Sequence, residues 1–369
     1  MSTACGPCLR RSWLLRELAG HLDAVRGEID EVLALSDHAL IAAVGGRRRR
    51  QLERRLARAR DDPVRQALGG AGVRPVCRCA DSYPSRLLDL AAPPTVLFIA
   101  AERGAEEWLA EEPIAIVGTR RASSYGLEVA RSLARGVAAA GMTVVSGMAL
   151  GIDSAVHEGA LAAAGSVHEG AVATAGATVA VLPGPAGEPY PRSRRRLHRQ
   201  VVRAGAAISE LPAGTPVRRW TLIARNRIIA GLSAATVVVE APAGSGALLT
   251  AAVARKLGRA VGAVPGRVTT PQAGGTNELL AGGAFVVRGP QDVLDAVYGI
   301  GVRAAAGELR PPLSAEAREV LRAVADGADS ADALAAAERA PDTSLAALAW
   351  LELTGYLRRE PGGRFTVIP

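Results

Sequence analysis

Residues able to hold a phosphate group come directly after a short apolar run. The run Ile114–Val117 is followed by Gly118, Thr119, Arg120 and Arg121, and then by a helical pattern. Glycine lets the backbone approach a ligand closely, N–H groups at a helix start suit an anion, and arginine adds a bidentate phosphate contact. The spacing is not Gly-x-Gly-x-x-Gly, which argues against dinucleotide binding. The sequence predicts a phosphate-facing loop here, although a tight structural turn would also explain the glycine.

A second glycine-bearing loop follows the next apolar run. Ser146, Gly147 and Gly151 are predicted to form another phosphate nest. Asp153 could cap the helix that follows, and His157 could bond Asp153 because it stands one helical turn later. Metal or general-base chemistry is one interpretation of this pair. A structural cap with a hydrogen bond is the interpretation that we favour.

Two more segments carry arginine or glycine near a predicted helix start. The basic stretch Arg225, Asn226 and Arg227 stands close to Trp220, a combination that suits base stacking and backbone tracking. A further strand-to-helix turn consists of Gly244, Ser245 and Gly246. A nucleotide-hydrolysing Walker loop would need Gly-Lys-Ser/Thr, which this turn lacks.

Short apolar runs rich in valine and isoleucine alternate with helical stretches across residues 111–300. The runs are Ile114–Val117, Thr143–Val145, Thr178–Leu182, Ala206–Ser209, Thr236–Val239, Ala260–Val264 and Phe285–Val287. Near-continuous apolar runs suit strands buried on both faces, and the alternation favours a parallel sheet. The sequence therefore predicts an α/β domain with a Rossmann-like, doubly wound, mostly parallel sheet. Ligands are expected at the carboxyl ends of its strands.

The flanking regions have different patterns. Residues 1–110 are predicted to be a helical region of SAM or helix-hairpin-helix type with a segment leading into the sheet, and residues 301–312 a linker. Residues 313–369, helices followed by a hairpin, predict a winged-helix-like domain that either binds duplex DNA or serves protein interaction. The run Val156–Ala160 recurs as Val167–Ala171, and this duplication either lengthens a helix or bulges as a loop.

Composition points to a basic protein of a reducing compartment. The formal net charge is +8, which suits either a nucleic-acid partner or a solvated basic surface. No apolar run is long enough for a membrane span and no signal peptide is evident, so a cytoplasmic protein without a membrane partner is expected. Four cysteines, Cys5, Cys8, Cys77 and Cys79, could supply zinc ligands. Because the two pairs are far apart in sequence, we predict free thiols, with no metal or cofactor.

Taken in order, these motifs resemble the DprA/Smf family of DNA-processing proteins. The matching stretches, within about residues 75–300, are Gly118–Arg120, Ser146–His157, Tyr190-Pro191, Arg225–Ser233, Ser245–Ala251, Val264–Gly266 and Gly275–Asn277. The resemblance implies a non-enzymatic protein of natural transformation that binds single-stranded DNA, protects it and helps load the RecA recombinase. It also implies a homodimer formed through the Rossmann-like domain. By resemblance, the DNA pocket is lined by Arg120, Gly147, Gly151, Arg225, Asn226, Arg227 and the Gly244–Gly246 turn.

Two positions depart from the family pattern. Leu150 stands where the family usually has arginine or lysine, so one phosphate contact is either missing or supplied by Arg121 or Arg192. Arg194 stands where the family commonly has asparagine.

Two alternative functions remain open at this point. One is a LOG-type nucleotide phosphoribohydrolase on a similar fold, whose Pro-Gly-Gly-x-Gly-Thr-x-x-Glu loop supplies a catalytic glutamate. The nearest stretch here, Ala243–Thr250, lacks that pattern. The other is a non-catalytic interaction scaffold with a vestigial pocket, an interpretation that Leu150 motivates.

Overall fold

The computed structural model describes residues 4–58, 72–102, 112–165, 177–303, 313–336, 341–360 and 362–368. The chain divides into two compact units, Met1–Ala305 and Ala306–Pro369. The second copy of the duplicated run and most of the predicted linker lie outside the described residues. No helix among the described residues is long and apolar enough to cross a membrane.

Helices begin the first unit, as the sequence predicts. Their bounds are α1 Gly6–Leu22, α2 Ile29–Ala34, α3 Asp37–Val44 and α4 Arg49–Arg58. In α1, Leu14, Leu18 and Leu22 are fully buried along one stripe, which is the spacing expected of an amphipathic helix. Ser36 is the N-cap of α3, and its hydroxyl accepts a hydrogen bond from the Ala39 N–H. The more specific SAM or helix-hairpin-helix assignment stays a prediction.

Nine strands of the described residues form one sheet. Their bounds are β1 Val73–Cys77, β2 Val96–Ala100, β3 Ile114–Val117, β4 Val144–Ser146, β5 Thr178–Val181, β6 Ala206–Ser209, β7 Ala235–Val238, β8 Ala260–Ala263 and β9 Phe285–Val286. The order across the sheet is β1-β2-β6-β5-β4-β3-β7-β8-β9. All neighbouring pairs from β6 to β9 are parallel. The predicted mostly parallel sheet is confirmed, and each of the seven apolar runs forms a strand.

Strands β1 and β2 correct the sequence-based prediction, which treated this part of the chain as helical. Strand β2 pairs antiparallel with β6, and β1 pairs antiparallel with β2. Every residue of β2 is buried, with Phe98 packing into the core of the N-terminal helices and Leu97 into the core on the opposite face. A five-residue apolar run buried on both faces has no periodicity that distinguishes a strand from a helix, which explains the error.

Helices cover both faces of the sheet. Their bounds are α5 Ser124–Ala139, α6 Ile152–Gly165, α7 Arg195–Ala204, α8 Arg219–Leu232, α9 Gly246–Lys256, α10 Gly274–Ala281 and α11 Pro290–Tyr298. Alternate residues of β3 face different cores: Ile114 packs with α5, α6 and α11, whereas Ala115 packs with α8 and α9. This two-sided burial is the doubly wound arrangement that the sequence predicts.

The second unit has its own small core. Its elements are α12 Ala315–Ala325, α13 Ala331–Ala336, α14 Pro341–Leu353, and the antiparallel hairpin of β10 Leu357–Arg359 and β11 Phe365–Val367. The buried side chains of Val320, Leu334, Leu351 and Phe365 pack together. Helices followed by a hairpin match the predicted order of elements, and the winged-helix-like class stays a prediction.

Candidate functional site

A pocket of about 360 Å³ opens at the carboxyl ends of β3, β4 and β7. Strands β3 and β7 are neighbours, but the chain leaves β3 toward β4 on one side and β7 toward β8 on the other. In doubly wound sheets such a reversal of strand order leaves a crevice beyond the strand ends, and ligands bind there. The topology therefore makes this pocket the leading candidate for the functional site.

Eight of the thirteen residues predicted to contact DNA line this pocket. They are Gly118, Thr119, Arg120, Arg121, Arg225, Asn226, Ser245 and Gly246. The other five, none of which lines the pocket, are Ser146, Gly147, Gly151, Arg227 and Gly244.

Two arginines give the pocket its accessible positive charge. Arg120 and Arg121 are both exposed. Neither side chain forms an ion pair or a hydrogen bond with any residue that the structure describes. Two guanidinium groups without a carboxylate partner favour an anionic ligand, because each can make a charge-assisted, bidentate contact with a phosphate.

Glycines allow the first two loops to pack closely. The Thr119 N–H donates to the Glu240 carbonyl oxygen at 2.7 Å, and a side chain at Gly118 would overlap Ile152. Gly151 has a φ of +79°, and a side chain there would overlap the Thr119 carbonyl oxygen. Gly151 thus holds the second loop against the first, a supporting position behind the pocket wall.

Arg225 fixes the second loop from beneath. Its buried guanidinium donates to the carbonyl oxygens of Gly147 and Val181, the latter at 3.1 Å, and lies 3.5 Å from an Asp153 carboxylate oxygen. Burial lowers the pKa of Arg225, and the Asp153 carboxylate opposes that shift. Gly147 leaves room for this guanidinium, since a side chain there would overlap it. The Ser146 hydroxyl is bound within the sheet, where it donates to the Ile116 carbonyl oxygen at 2.7 Å.

Asn226 connects α8 to the glycine-rich turn before α9. Its side-chain amide donates to the Gly246 carbonyl oxygen at 3.3 Å. Gly244 has a φ of +74°, which favours glycine, and the Ser245 hydroxyl caps α9 by accepting from the Ala247 N–H. Ser245, Gly246 and Ala247 all line the pocket. The positive end of the α9 dipole is therefore available to an anion.

Arg227 lies away from the pocket although it is two residues from Arg225. Its guanidinium forms a buried ion pair with Glu210 at 2.5 Å and lies 3.6 Å from a carboxylate oxygen of Asp30 in α2. Residues two apart on a helix point in nearly opposite directions, because each residue advances the helix by about 100°. A DNA contact by Arg227 stays a prediction, and its described contacts are those of a structural ion pair.

The start of α5 corrects another expectation. The sequence predicts that N–H groups at the helix after the first loop hold a phosphate. Here the Glu240 carboxylate takes that position, accepting from the Ser123 N–H at 2.9 Å and from the Ser123 hydroxyl at 2.5 Å. A side chain at Gly126 would overlap this carboxylate. The only sequence signal was that Glu240 directly follows the apolar run Thr236–Val239, so both groups reach the same edge of the sheet.

The position of Leu150 raises the question of whether Arg121 or Arg192 replaces the phosphate contact that leucine cannot make. Leu150 is 44% exposed and does not line the pocket. Of the two arginines that could replace a missing phosphate contact, Arg121 lines the pocket and Arg192 does not. Arg194 is likewise outside the pocket wall and lies 3.8 Å from Glu158.

His157 does not bond Asp153, which corrects the predicted pairing. Its Nδ1 lies 2.8 Å from the Thr178 hydroxyl, and that hydroxyl donates to the Val144 carbonyl oxygen at 3.3 Å. The His157 ring is therefore hydrogen-bonded to Thr178 and not to Asp153. Burial lowers the pKa of His157 to about 3, and the Arg225 charge adds to the effect. A neutral, fully buried imidazole fits the structural interpretation and not a general base.

We expect His157 to make the protein less stable in acid. The folded-state pKa lies below the ordinary value of 6.5, so the contribution of His157 is fully present above pH 6.5 and is lost as the pH falls toward 3. Between about pH 7 and about pH 5, the free energy of unfolding should fall by about 2 kcal/mol more in the wild type than in His157→Gln. Urea denaturation at both pH values measures this difference. Equal pH dependence in the two proteins would contradict the assignment.

The four cysteines lie together at the end of β1, the strand at one edge of the sheet. Their sulfur atoms are all within 4.8 Å of one another. The prediction of free thiols relied on the distance between the two cysteine pairs in sequence. The fold brings the two pairs together. Strand β4, the nearest of the three strands at the pocket, is four strand spacings from β1, or about 19 Å, so the cysteine cluster is distinct from the pocket.

Comparison with known proteins gives consistent matches over this fold. The sequence profile of DNA recombination-mediator protein A matches residues 74–298. A chain of Mycobacterium tuberculosis provisionally named DNA processing protein DprA is 37% identical over 365 residues, which are 96% of this chain and 85% of that one. DNA processing protein A of Streptococcus pneumoniae aligns with a TM-score of 0.61 and 27% identity, covering 79% of this chain and 96% of that one.

A second solved structure is also similar. DNA processing protein A of Helicobacter pylori, described for its single-stranded DNA binding mode, aligns with a TM-score of 0.52 and 25% identity. The alignment covers 61% of this chain and 95% of that one. The profile match, residues 74–298, includes every residue that lines the pocket.

Proposed function

This chain belongs to the DNA recombination-mediator protein A family, and from that membership we propose that it binds single-stranded DNA at the pocket beyond β3 and β7. The observation that carries the proposal is the pair of exposed arginines, Arg120 and Arg121, at the switch point of the sheet. The Helicobacter pylori relative, which binds single-stranded DNA, supports it.

The shape of the pocket favours a single strand over a duplex. Arg120, Arg121 and the start of α9 surround one concave site, so phosphates must enter it from a backbone that bends. A single strand is flexible enough to do so, whereas a duplex has a persistence length of about 150 base pairs and a regular, convex phosphate surface. Contacts to phosphates carry no sequence information, so binding is expected to be largely independent of sequence.

Tyr125 extends the proposed binding surface beyond the pocket. It stands in the first turn of α5, is 50% exposed, and lines a second cavity of about 650 Å³ together with Glu240 and Arg267. Burial and the Glu240 carboxylate raise the pKa of Tyr125, which keeps its hydroxyl protonated. An exposed aromatic ring beside a basic side chain suits base stacking. The sequence shows Tyr125 after the first loop but gives no sign of its exposure.

We infer that the DNA is bound without chemical change. Asp153, the carboxylate among the residues lining the pocket, is buried against Arg225. Glu240 accepts two hydrogen bonds from Ser123. Neither carboxylate is available as a general base, and the glutamate-bearing loop of LOG-type hydrolases is absent from the sequence.

A wider biological role is proposed from family membership. We propose that the protein protects incoming single-stranded DNA during natural transformation, helps to load RecA onto it, and acts as a homodimer formed through the Rossmann-like unit. Family membership supports both activities and the homodimer. The geometry of the pocket supports the proposed DNA contact alone.

Titration of a labelled oligo-dT against salt tests the DNA contact. We expect at least about tenfold tighter binding to oligo-dT than to a duplex of equal length. The logarithm of the affinity should fall linearly with the logarithm of salt concentration, with a slope of about −0.7 for each phosphate neutralised. Fluorescence anisotropy at several salt concentrations measures both quantities.

Two outcomes would contradict the proposal. Equal affinity for duplex and single strand would remove the argument from pocket shape. Release of ribose 5-phosphate from AMP, abolished by Glu240→Ala, would favour the hydrolase alternative instead.

A further inference from the structure

Cys5, Cys8, Cys77 and Cys79 form a thiol cluster between the start of α1 and the end of β1. Their sulfur atoms all lie within 4.8 Å of one another. We propose that this cluster binds one zinc ion in tetrahedral thiolate coordination. The ion then joins the N-terminal helices to the edge strand of the sheet.

Local structure brings the two sulfur atoms of each cysteine pair, Cys5 with Cys8 and Cys77 with Cys79, close together. Cys5 is the N-cap of α1 and Cys8 is the third residue of that helix, so both belong to its first turn. Cys77 ends β1, and a turn closed by the Ala80 N–H to the Cys77 carbonyl oxygen at 2.9 Å holds Cys79 two residues further on. The first turn of α1 brings Cys5 and Cys8 to one side of the helix. The turn after β1 brings the Cys79 sulfur within 4.8 Å of the Cys77 sulfur. Each pair therefore acts as a two-thiol clamp.

The sulfur separations are those of a single-metal site. The Cys8 and Cys79 sulfurs are 3.8 Å apart. A zinc–sulfur bond of about 2.3 Å in a regular tetrahedron places its ligands about 3.8 Å apart. A disulfide needs about 2.05 Å, and an iron–sulfur cluster needs a wider ring of thiolates because its inorganic core lies between them. Tetrahedral coordination by four thiolates selects zinc among the common divalent cations.

The surroundings suit a partly shielded metal. Cys8 and Cys77 are buried, whereas Cys79 is exposed and Cys5 is partly so. Cys5, Cys8, Cys79 and Arg78 line a cavity of about 470 Å³ through which an ion can reach the sulfurs. Four thiolates and Zn²⁺ together carry two negative charges, which the positive end of the 17-residue helix α1 and the Arg78 guanidinium oppose. Binding releases the thiol protons to solvent and transfers no electrons.

Such a site would have a structural role in the first unit. It links two segments that are about 70 residues apart in the chain, and it lies beside the core in which α1 packs with β2. All four ligand positions are filled by protein, which is typical of structural rather than catalytic zinc. Because the cavity beside the cluster shares no lining residue with the pocket, the test of the cluster does not depend on DNA binding.

Metal analysis of the full-length chain, purified under reducing conditions, tests the inference. We expect about one zinc per chain in the wild type and a fall to below about 0.1 after dialysis of Cys79→Ser against a mild chelator. Cys79 is exposed, so serine there should leave the fold intact. The matched control is Ala91→Ser, which adds a hydroxyl to the wall of the same cavity and should retain about one zinc.

Cobalt substitution provides a second measurement that reports the ligands directly. We expect Co²⁺ to give a thiolate charge-transfer band and the intense visible bands of tetrahedral coordination, both lost in a Cys5→Ser, Cys8→Ser variant. Reduced wild-type protein that takes up neither zinc nor cobalt would overturn the proposal. So would stoichiometric iron in place of zinc, or equal zinc in Cys79→Ser and Ala91→Ser.

Discussion

Replacing Arg227 with methionine is expected to lower the free energy of unfolding by about 3–5 kcal/mol, because it leaves the buried Glu210 carboxylate without its partner. Both side chains are almost fully buried, 4% and 6% exposed, so water cannot compensate for the lost ion pair. Asp30 is 44% exposed and should be resolvated at little cost. Urea denaturation measures the change.

Two further variants separate the ion pair from other effects. Arg219→Met, on the same helix but exposed, should change stability by less than about 0.5 kcal/mol. The double variant Arg227→Met with Glu210→Leu should recover most of the loss, since an apolar pair can replace a buried ion pair. If Arg227→Met kept wild-type stability but bound oligo-dT less tightly, the residue would be a DNA contact, as the family resemblance implies.

Replacing Arg120 and Arg121 together with alanine is expected to weaken oligo-dT binding about a hundredfold at moderate salt. Each arginine offers a charge-assisted phosphate contact, whereas Arg225, which also lines the pocket, is buried and bonded to carbonyl oxygens. The slope of log affinity against log salt should become shallower by about 1.4, since two phosphate contacts are lost. Anisotropy titration of the variant and the wild type measures both changes.

The matched control for this pair is Arg195→Ala with Arg196→Ala. These arginines are adjacent and exposed on α7, and neither lines the pocket. The control removes the same formal charge, so it should weaken binding by a much smaller factor. Both double variants should retain the wild-type free energy of unfolding, because exposed arginines contribute little to stability. Similar losses of affinity in the two variants would indicate a diffuse basic surface and not a pocket.

Local sequence features determined the architecture and the position of the pocket. Seven apolar runs separated by helical stretches are enough to predict a mostly parallel sheet, because strands buried on both faces need continuous apolar residues. Loops at the carboxyl ends of those strands meet at one edge, so the first loop and the Gly244–Gly246 turn could be expected to share a site. The order of the motifs also identified the family correctly.

Contacts between distant segments decided the roles of individual residues. Arg225 and Arg227 are one basic stretch in the sequence, but the helix turns them in opposite directions, and Glu210 and Asp30 come from other elements. Likewise, Glu240 reaches the start of α5 from a neighbouring strand and takes the position expected for a phosphate. Such pairings depend on which elements pack together, which short-range spacing does not encode.

The clearest contrast lies between the first loop and the cysteines. The first loop, which contains Gly118, Arg120 and Arg121, directly follows the end of β3. The sequence by itself could therefore place this loop on the ligand-binding edge of the sheet. Cys8 and Cys79 are 71 positions apart, and their approach to 3.8 Å requires an edge strand, β1, that the sequence pattern did not indicate. Only the tertiary structure brings these sulfurs together, because antiparallel pairing with β2 fixes where β1 ends.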